Sequence, residues 1–198
     1  MFFPKNLETD FVEALRLDSL ESLITLMVNV NDVNMYLSNV FFSNDIILCN
    51  SPPLASVAAF LRAKECLIWL INMGANLKLK DYNDIPISHF AVAGGSIEIM
   101  KILDLNGVSF ESSIFLAAEK GSLDTFMWIY YNYLVDLKVR RLDKTTLLHA
   151  AVKSRNRELI KFLLNEMADV LELNDVLEVT QELKNSQASD LEEESLSD

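Results

Sequence analysis

The chain has 198 residues, 51% of them apolar, and a formal charge of −12 from 17 basic and 29 acidic side chains. That length holds one domain or one short repeat array, and the apolar content excludes a wholly disordered chain. Five Gly and four Pro are too few for a turn-rich sandwich or barrel, so the expectation is helices.

The charge is uneven. Residues 175–198 hold eight acids against Lys184 alone, a net −7, which leaves −5 on residues 1–174. An acidic body repels phosphate backbones, so nucleic acid is not an expected partner. The longest apolar run, Cys66 to Ile71, is six residues, against about 20 for a membrane span, so no membrane partner is expected either. Met1-Phe-Phe-Pro-Lys-Asn6 has no apolar core of an export signal. Two cysteines, Cys49 and Cys66, make no disulfide framework. A reduced intracellular setting follows, in the cytoplasm or the nucleus.

Along the chain one frame recurs. An Ala stands at 14, 58, 91, 117 and 151, and an apolar residue stands nine and twelve positions after each. These are Leu23 and Leu26, Leu67 and Leu70, Met100 and Leu103, Phe126 and Ile129, and Ile160 and Leu163. The Ala marks a short first helix closely approached by a neighbour. The turn falls four residues on, at Asp18, Arg62, Gly95, Gly121 and Arg155, and a second helix then presents an i, i+3 stripe. Asp10 with Glu13, and Asp18 with Glu21, have capping-box spacing for the two helices of the first unit. Gly74 and Gly107 suit the left-handed residue after a second helix.

The alanines are spaced by 44, 33, 26 and 34 residues. A helix–turn–helix at a period of 33 is the ankyrin period, and the tetratricopeptide period of 34 lies close by. The Trp-x-x-Leu-Gly-x-x-Tyr pattern of that second family is absent, whereas Gly74-Ala75-Asn76 follows a second helix. Thr146-Leu147-Leu148-His149 matches Thr-Pro-Leu-His with one change, and Pro86-Ile87-Ser88-His89 and Pro53-Leu54-Ala55-Ser56 match less well. On these residues the chain resembles an ankyrin-repeat protein, similar to the divergent type expanded in some protozoan parasites. A helical repeat of another family stays open, and an extended residue pair near Lys80 and Asp81 would argue against it.

The resemblance implies an all-α ankyrin-repeat solenoid of four to five irregular units over residues 1–174, followed by a disordered acidic tail at 175–198. The units fall near 7–30, 51–80, 81–110, 111–137 and 138–174. The long first spacing places an insertion at 31–50, and the spacing of 26 collapses the β-turn finger around Gly107 to Ser112 into a tight link.

Chemistry is not expected of the remaining motifs. His89 and His149 are the only histidines and recur at one repeat position, where the family's His braces neighbouring loops. A zinc site needs three or four ligands, and no His-x-x-x-His, Cys-x-x-Cys or His-Glu-x-x-His spacing occurs. Cys66 belongs to a core stripe, and Cys49 has no nearby base to activate it. Ala93-Gly-Gly-Ser96 has the look of a phosphate loop but lacks the strand, the third glycine and the Lys-Ser/Thr, so it reads as a helix–helix corner. Trp69 and Trp128 are expected to pack between repeats and Tyr130 to be buried, with Tyr131 and Tyr133 exposed. No enzyme, metal or cofactor is expected.

The resemblance therefore implies a monomeric, non-catalytic module that binds a protein through its fingers and concave face. By repeat register the contact residues are Tyr82, Asp84 and Ile85, Lys144 and Thr145, and the turn residues Arg62, Ser96, Arg155 and Asn156. A basic cluster, Lys138, Arg140, Arg141 and Lys144 with Lys153, Arg155 and Arg157, is a salt-bridged face or a dock for an acidic partner or the chain's own tail. In the alternative reading the protein is a regulator or inhibitor that masks a basic partner with that tail.

Overall fold

A computed structural model describes residues 5–30, 32–38, 50–120 and 122–166. The acidic tail, Cys49 and the apolar segments at 40–42 and 46–48 lie outside these residues. The chain divides after Ser113 into two compact units. Unit 1 contains α1 (Lys5–Arg16), α2 (Leu20–Val30), α3 (Leu54–Phe60), α4 (Lys64–Asn72), α5 (Ile87–Gly94) and α6 (Ile97–Leu105). Unit 2 contains α7 (Ile114–Lys120), α8 (Leu123–Tyr133), α9 (Leu147–Ser154) and α10 (Arg157–Glu166). Among the described residues there is no strand, and pairing is confined to isolated bridges: Tyr36 with Pro53, Lys80 with Pro86, and Arg140 with Thr146.

The helices pair in sequence and then stack like on like. In unit 1 each first helix packs on its second, α1 and α3 on the next first helix, and α2 and α4 on the next second helix. In unit 2, α7 packs on α8 and α9, and α10 on α9. The recurring alanines lie where first helices meet, and all five are buried. Leu23, Leu67, Leu70, Met100, Leu103, Phe126, Ile129, Ile160 and Leu163 are buried as well. Each such side chain contributes roughly 1.5–3 kcal/mol by leaving water. Leu26 is only half-buried. Its helix, α2, has one neighbouring second helix, α4, where α4 has two.

The helix–helix turns explain the fourth position after four of the five alanines, Gly121 lying outside the described residues. Asp18, Arg62, Gly95 and Arg155 have φ of 47, 62, 73 and 56°. All are left-handed, the conformation that reverses the chain between two helices. The two acid-led boxes expected in the first hairpin are not there. Asp10 lies inside α1, which already begins at Lys5. Ser19 receives the Ser22 N–H at the start of α2, while Asp18 reaches into the next hairpin. Its carboxylate accepts the backbone N–H of Glu65 and of Cys66, both at 3.0 Å. The Ala63 cap of α4 has no side chain to do this, and a missing cap costs about 1 kcal/mol. Arg62 repeats the reach, donating from Nε to the carbonyl of Gly94 at the end of α5.

Between hairpins the chain makes fingers. Residues 80–86 and 140–146 each close with a bridge and share one conformation. The Asp81 and Arg141 N–H groups donate to the Ile85 and Thr145 carbonyls at 3.1 and 3.0 Å. Asp84 and Lys144 take φ of 61 and 67°. These bridged pairs are the extended geometry that separates an ankyrin unit from other helical repeats. Between Gly107 and α7 no finger forms: a single 3-10 turn, Glu111–Ser113, replaces it.

Candidate functional site

The two fingers each present an exposed large apolar side chain at the tip, Tyr82 and Leu142. In the unit 1 finger Asp81 is 5% exposed. Its Oδ1 accepts the N–H of Asn83 at 2.9 Å and of Ile85 at 2.8 Å, so one carboxylate oxygen shapes the loop. Its Oδ2 is buried with no hydrogen-bond partner among the described residues. Tyr82, at the tip, is 75% exposed, with its ring 5.7 Å from that of Tyr36 and its N–H donating to the Asn50 carbonyl at 3.0 Å.

In the unit 2 finger the register position of Asp81 is Arg141. Its guanidinium lies 4.7 Å over the Phe115 ring and pairs with Glu119 of α7. Loop shaping passes to Asp143, whose Oδ1 accepts the Thr145 N–H at 2.9 Å. That backbone N–H, followed by the Thr145 hydroxyl, holds the Asp143 carboxyl below its ordinary range. This bond is therefore present at neutral pH and is lost as the pH falls through the lowered value. Leu142, in register with Tyr82, is fully exposed at 107%.

The residues expected to make contacts divide in two. Tyr82, Asp84 and Lys144 are exposed, and Ile85 and Thr145 are half-buried, on the two fingers. Those at the helix–helix turns are engaged within the fold. Arg62 holds Gly94, and the Ser96 Oγ accepts the Ile99 N–H at the start of α6. The Asn156 Oδ1 accepts the N–H groups of Glu158 and Leu159 at 3.0 Å. Arg155 is exposed at the left-handed end of α9. Leu142 was not among the expected residues, although its alignment with Tyr82, four residues before Pro86 and Thr146, is visible in the sequence.

The two histidines do related but different work. His149 Nδ1 accepts the Thr146 N–H at 3.3 Å, and Thr146 Oγ1 accepts the His149 N–H, which closes a capping box on α9. Pro86 has neither N–H nor hydroxyl, so His89 cannot repeat this. Its Nδ1 instead lies 3.1 Å from the Ser113 Oγ, which also donates to Ser88 at 3.2 Å. Among the described residues no three His, Cys, Asp or Glu side chains are grouped as metal ligands.

In the Ala93–Ser96 corner, Gly94 meets the backbone of α3 and Gly95 is left-handed, which accounts for both glycines without a phosphate. Tyr130 is half-buried rather than buried. Its ring stands 5.0 Å from that of exposed Tyr131 and 5.7 Å from that of Phe162. Tyr133 is half-buried too, set edge-on to Trp128 at 6.1 Å. Cys66 is fully buried. Burial first, then the Asp18 carboxylate, pushes its thiol up to about 12. Iodoacetamide at pH 8.5 should accordingly leave Cys66 unmodified in the native protein and alkylate it after denaturation, as read by peptide mass. Labelling at equal rates in both states would contradict the burial.

No helix among the described residues is long and apolar enough to cross a membrane. No curated protein matches the chain significantly. Residues 114–164 match the family model for ankyrin repeats in many copies. That segment covers α7 to α10 with the finger at 140–146, and the paired, like-on-like helices of unit 1 follow the same plan. The chain thus carries ankyrin repeats at residues 114–164, a module that serves protein–protein interaction.

Proposed function

We propose that the protein is a non-catalytic recognition module that captures a protein partner through its finger tips. One observation carries this reading. Two fingers with the same backbone put a large apolar side chain, Tyr82 in unit 1 and Leu142 in unit 2, at the same exposed tip position. The fold does not need an exposed apolar group there, whereas an interface does, and Tyr in particular dominates many interfaces. Asp84 and Lys144 flank these tips and supply polar rims of opposite sign. Arg62, Ser96 and Asn156 hold neighbouring hairpins or cap helices, so they support the surface rather than form it. Arg155 stands exposed at the end of α9 away from the finger.

The test is capture of interacting proteins by the full chain and by a Tyr82→Ala, Leu142→Ala double variant. Loss of a hot spot of about 2 kcal/mol lowers affinity roughly thirtyfold, so the partner bound by the wild type should disappear from the variant. Helicity by circular dichroism should stay the same. A variant that keeps the partner at wild-type yield removes the fingers from the reading.

A further inference from the structure

The two fingers are a matched pair with different charge. Residues 78–86 carry Lys78, Lys80, Asp81 and Asp84 and are neutral overall, whereas residues 138–146 carry Lys138, Arg140, Arg141, Asp143 and Lys144 and have a net +3. Both close with the same bridge and the same carbonyl contact, and Asp84 and Lys144 are left-handed alike. The finger conformation therefore does not require the extra cations. Arg141 is absorbed by Phe115 and Glu119. Lys138 and Lys144 are exposed beside Leu142 and Val139, a cationic surface with an apolar centre.

The charge of the chain follows the same division. Residues 1–113 have a net −6, residues 114–166 a net +3, and residues 167–198 a net −9. The densest acidic stretch is Asp190-Leu191-Glu192-Glu193-Glu194, four carboxylates around one leucine. Its chemistry is the inverse of the unit 2 finger. We propose that the finger at 138–146 is a docking site for the chain's own segment Asp190–Glu194, with carboxylates on Lys138 and Lys144 and Leu191 against Leu142.

The reach is ample. The stretch from Glu166 to Asp190 can extend about 80 Å, several times the roughly 15 Å length of α10. Each exposed ion pair is weak, worth up to about 1 kcal/mol. Tethering raises the local concentration of the segment to the millimolar range, so a weak contact suffices for occupancy. Salt should release it, because exposed charges are screened within about 3 Å at 1 M ionic strength.

Backbone amide NMR on the full chain tests the contact, with a variant that neutralises the segment (Asp190→Asn, Glu192→Gln, Glu193→Gln, Glu194→Gln). These substitutions leave the sequence of α7 to α10 untouched. The amides of residues 138–146 should shift several times more than the mean of all others. Those of the neutral finger at 78–86 should stay in place, which makes them an internal control, and molar salt should move wild-type resonances in the same direction. Unmoved finger amides in the variant overturn the proposal. So does a shift that scales with protein concentration, because the occupant is then a second copy. The outcome is independent of whether a protein partner binds the finger tips.

Discussion

Gly94→Ala is expected to destabilise unit 1 by about 2 kcal/mol, although Ala is the better helix former by about 1 kcal/mol. A Cβ at Gly94 would stand 2.5 Å from the carbonyl oxygen of Phe60 and 3.0 Å from that of Ala59. Both obstacles are backbone, so no rotamer change clears them, and α5 must retreat from α3. The retreat also pulls the Gly94 carbonyl from the Arg62 Nε that holds it. Gly95→Ala is the useful comparison. Its Cβ would meet only the Arg62 side chain at 3.7 Å, but its φ of 73° puts an alanine in left-handed backbone, at about 1–2 kcal/mol. Urea unfolding followed by circular dichroism should show a lower midpoint for both, the larger drop belonging to Gly94→Ala. A Gly94→Ala midpoint at or above wild type would mean that the helices are not in contact there.

Asp81→Ala should free the unit 1 finger while leaving the helices formed. The substitution removes the Oδ1 acceptor of two backbone N–H groups, from Asn83 and Ile85. Hydrogen bonds to a charged acceptor are worth about 1.5–3 kcal/mol each. Removing the buried, unpartnered Oδ2 offsets part of this, so the net cost falls near 1–3 kcal/mol and is local to the loop. Amide hydrogen exchange should accelerate by at least tenfold at Asn83 and Ile85, with α5 protected as before. Partner capture through Tyr82 should weaken with it, since a mobile tip must be ordered on binding. Unchanged exchange at both amides would show that the bridge between Lys80 and Pro86 holds the finger without the carboxylate. Asp81→Asn separates the two effects, because it keeps an oxygen acceptor and loses the charge.

These predictions draw on different layers of the chain. The hairpin register was legible from spacing alone, because each Ala-to-stripe interval lies within one pair of short helices. Burial of Ala58, Leu67 and Leu70 obeys the same local geometry as burial of Ala151, Ile160 and Leu163. The collapsed finger was legible for a similar reason. A spacing of 26 in place of 33 leaves seven residues too few to form one. Asp18 was misassigned because its spacing to Glu21 satisfies a local capping rule, whereas the amides it serves are 47 and 48 residues away. Arg62, Ser96 and Asn156 look like surface polar residues in a linear reading, and they become braces or caps only once turns and helix starts are in place.

The ankyrin plan, the apolar stripes and the turn positions thus follow from the order of the residues, since each depends on neighbours within about one repeat. Tertiary structure alone decided which hairpin Asp18 caps and why Gly94 has no side chain. It also decided that Tyr82 and Leu142 stand exposed at the finger tips. Such contacts join residues far apart in sequence, and a hydrogen bond or a steric clash depends on distances of a few tenths of an ångström that no periodicity encodes.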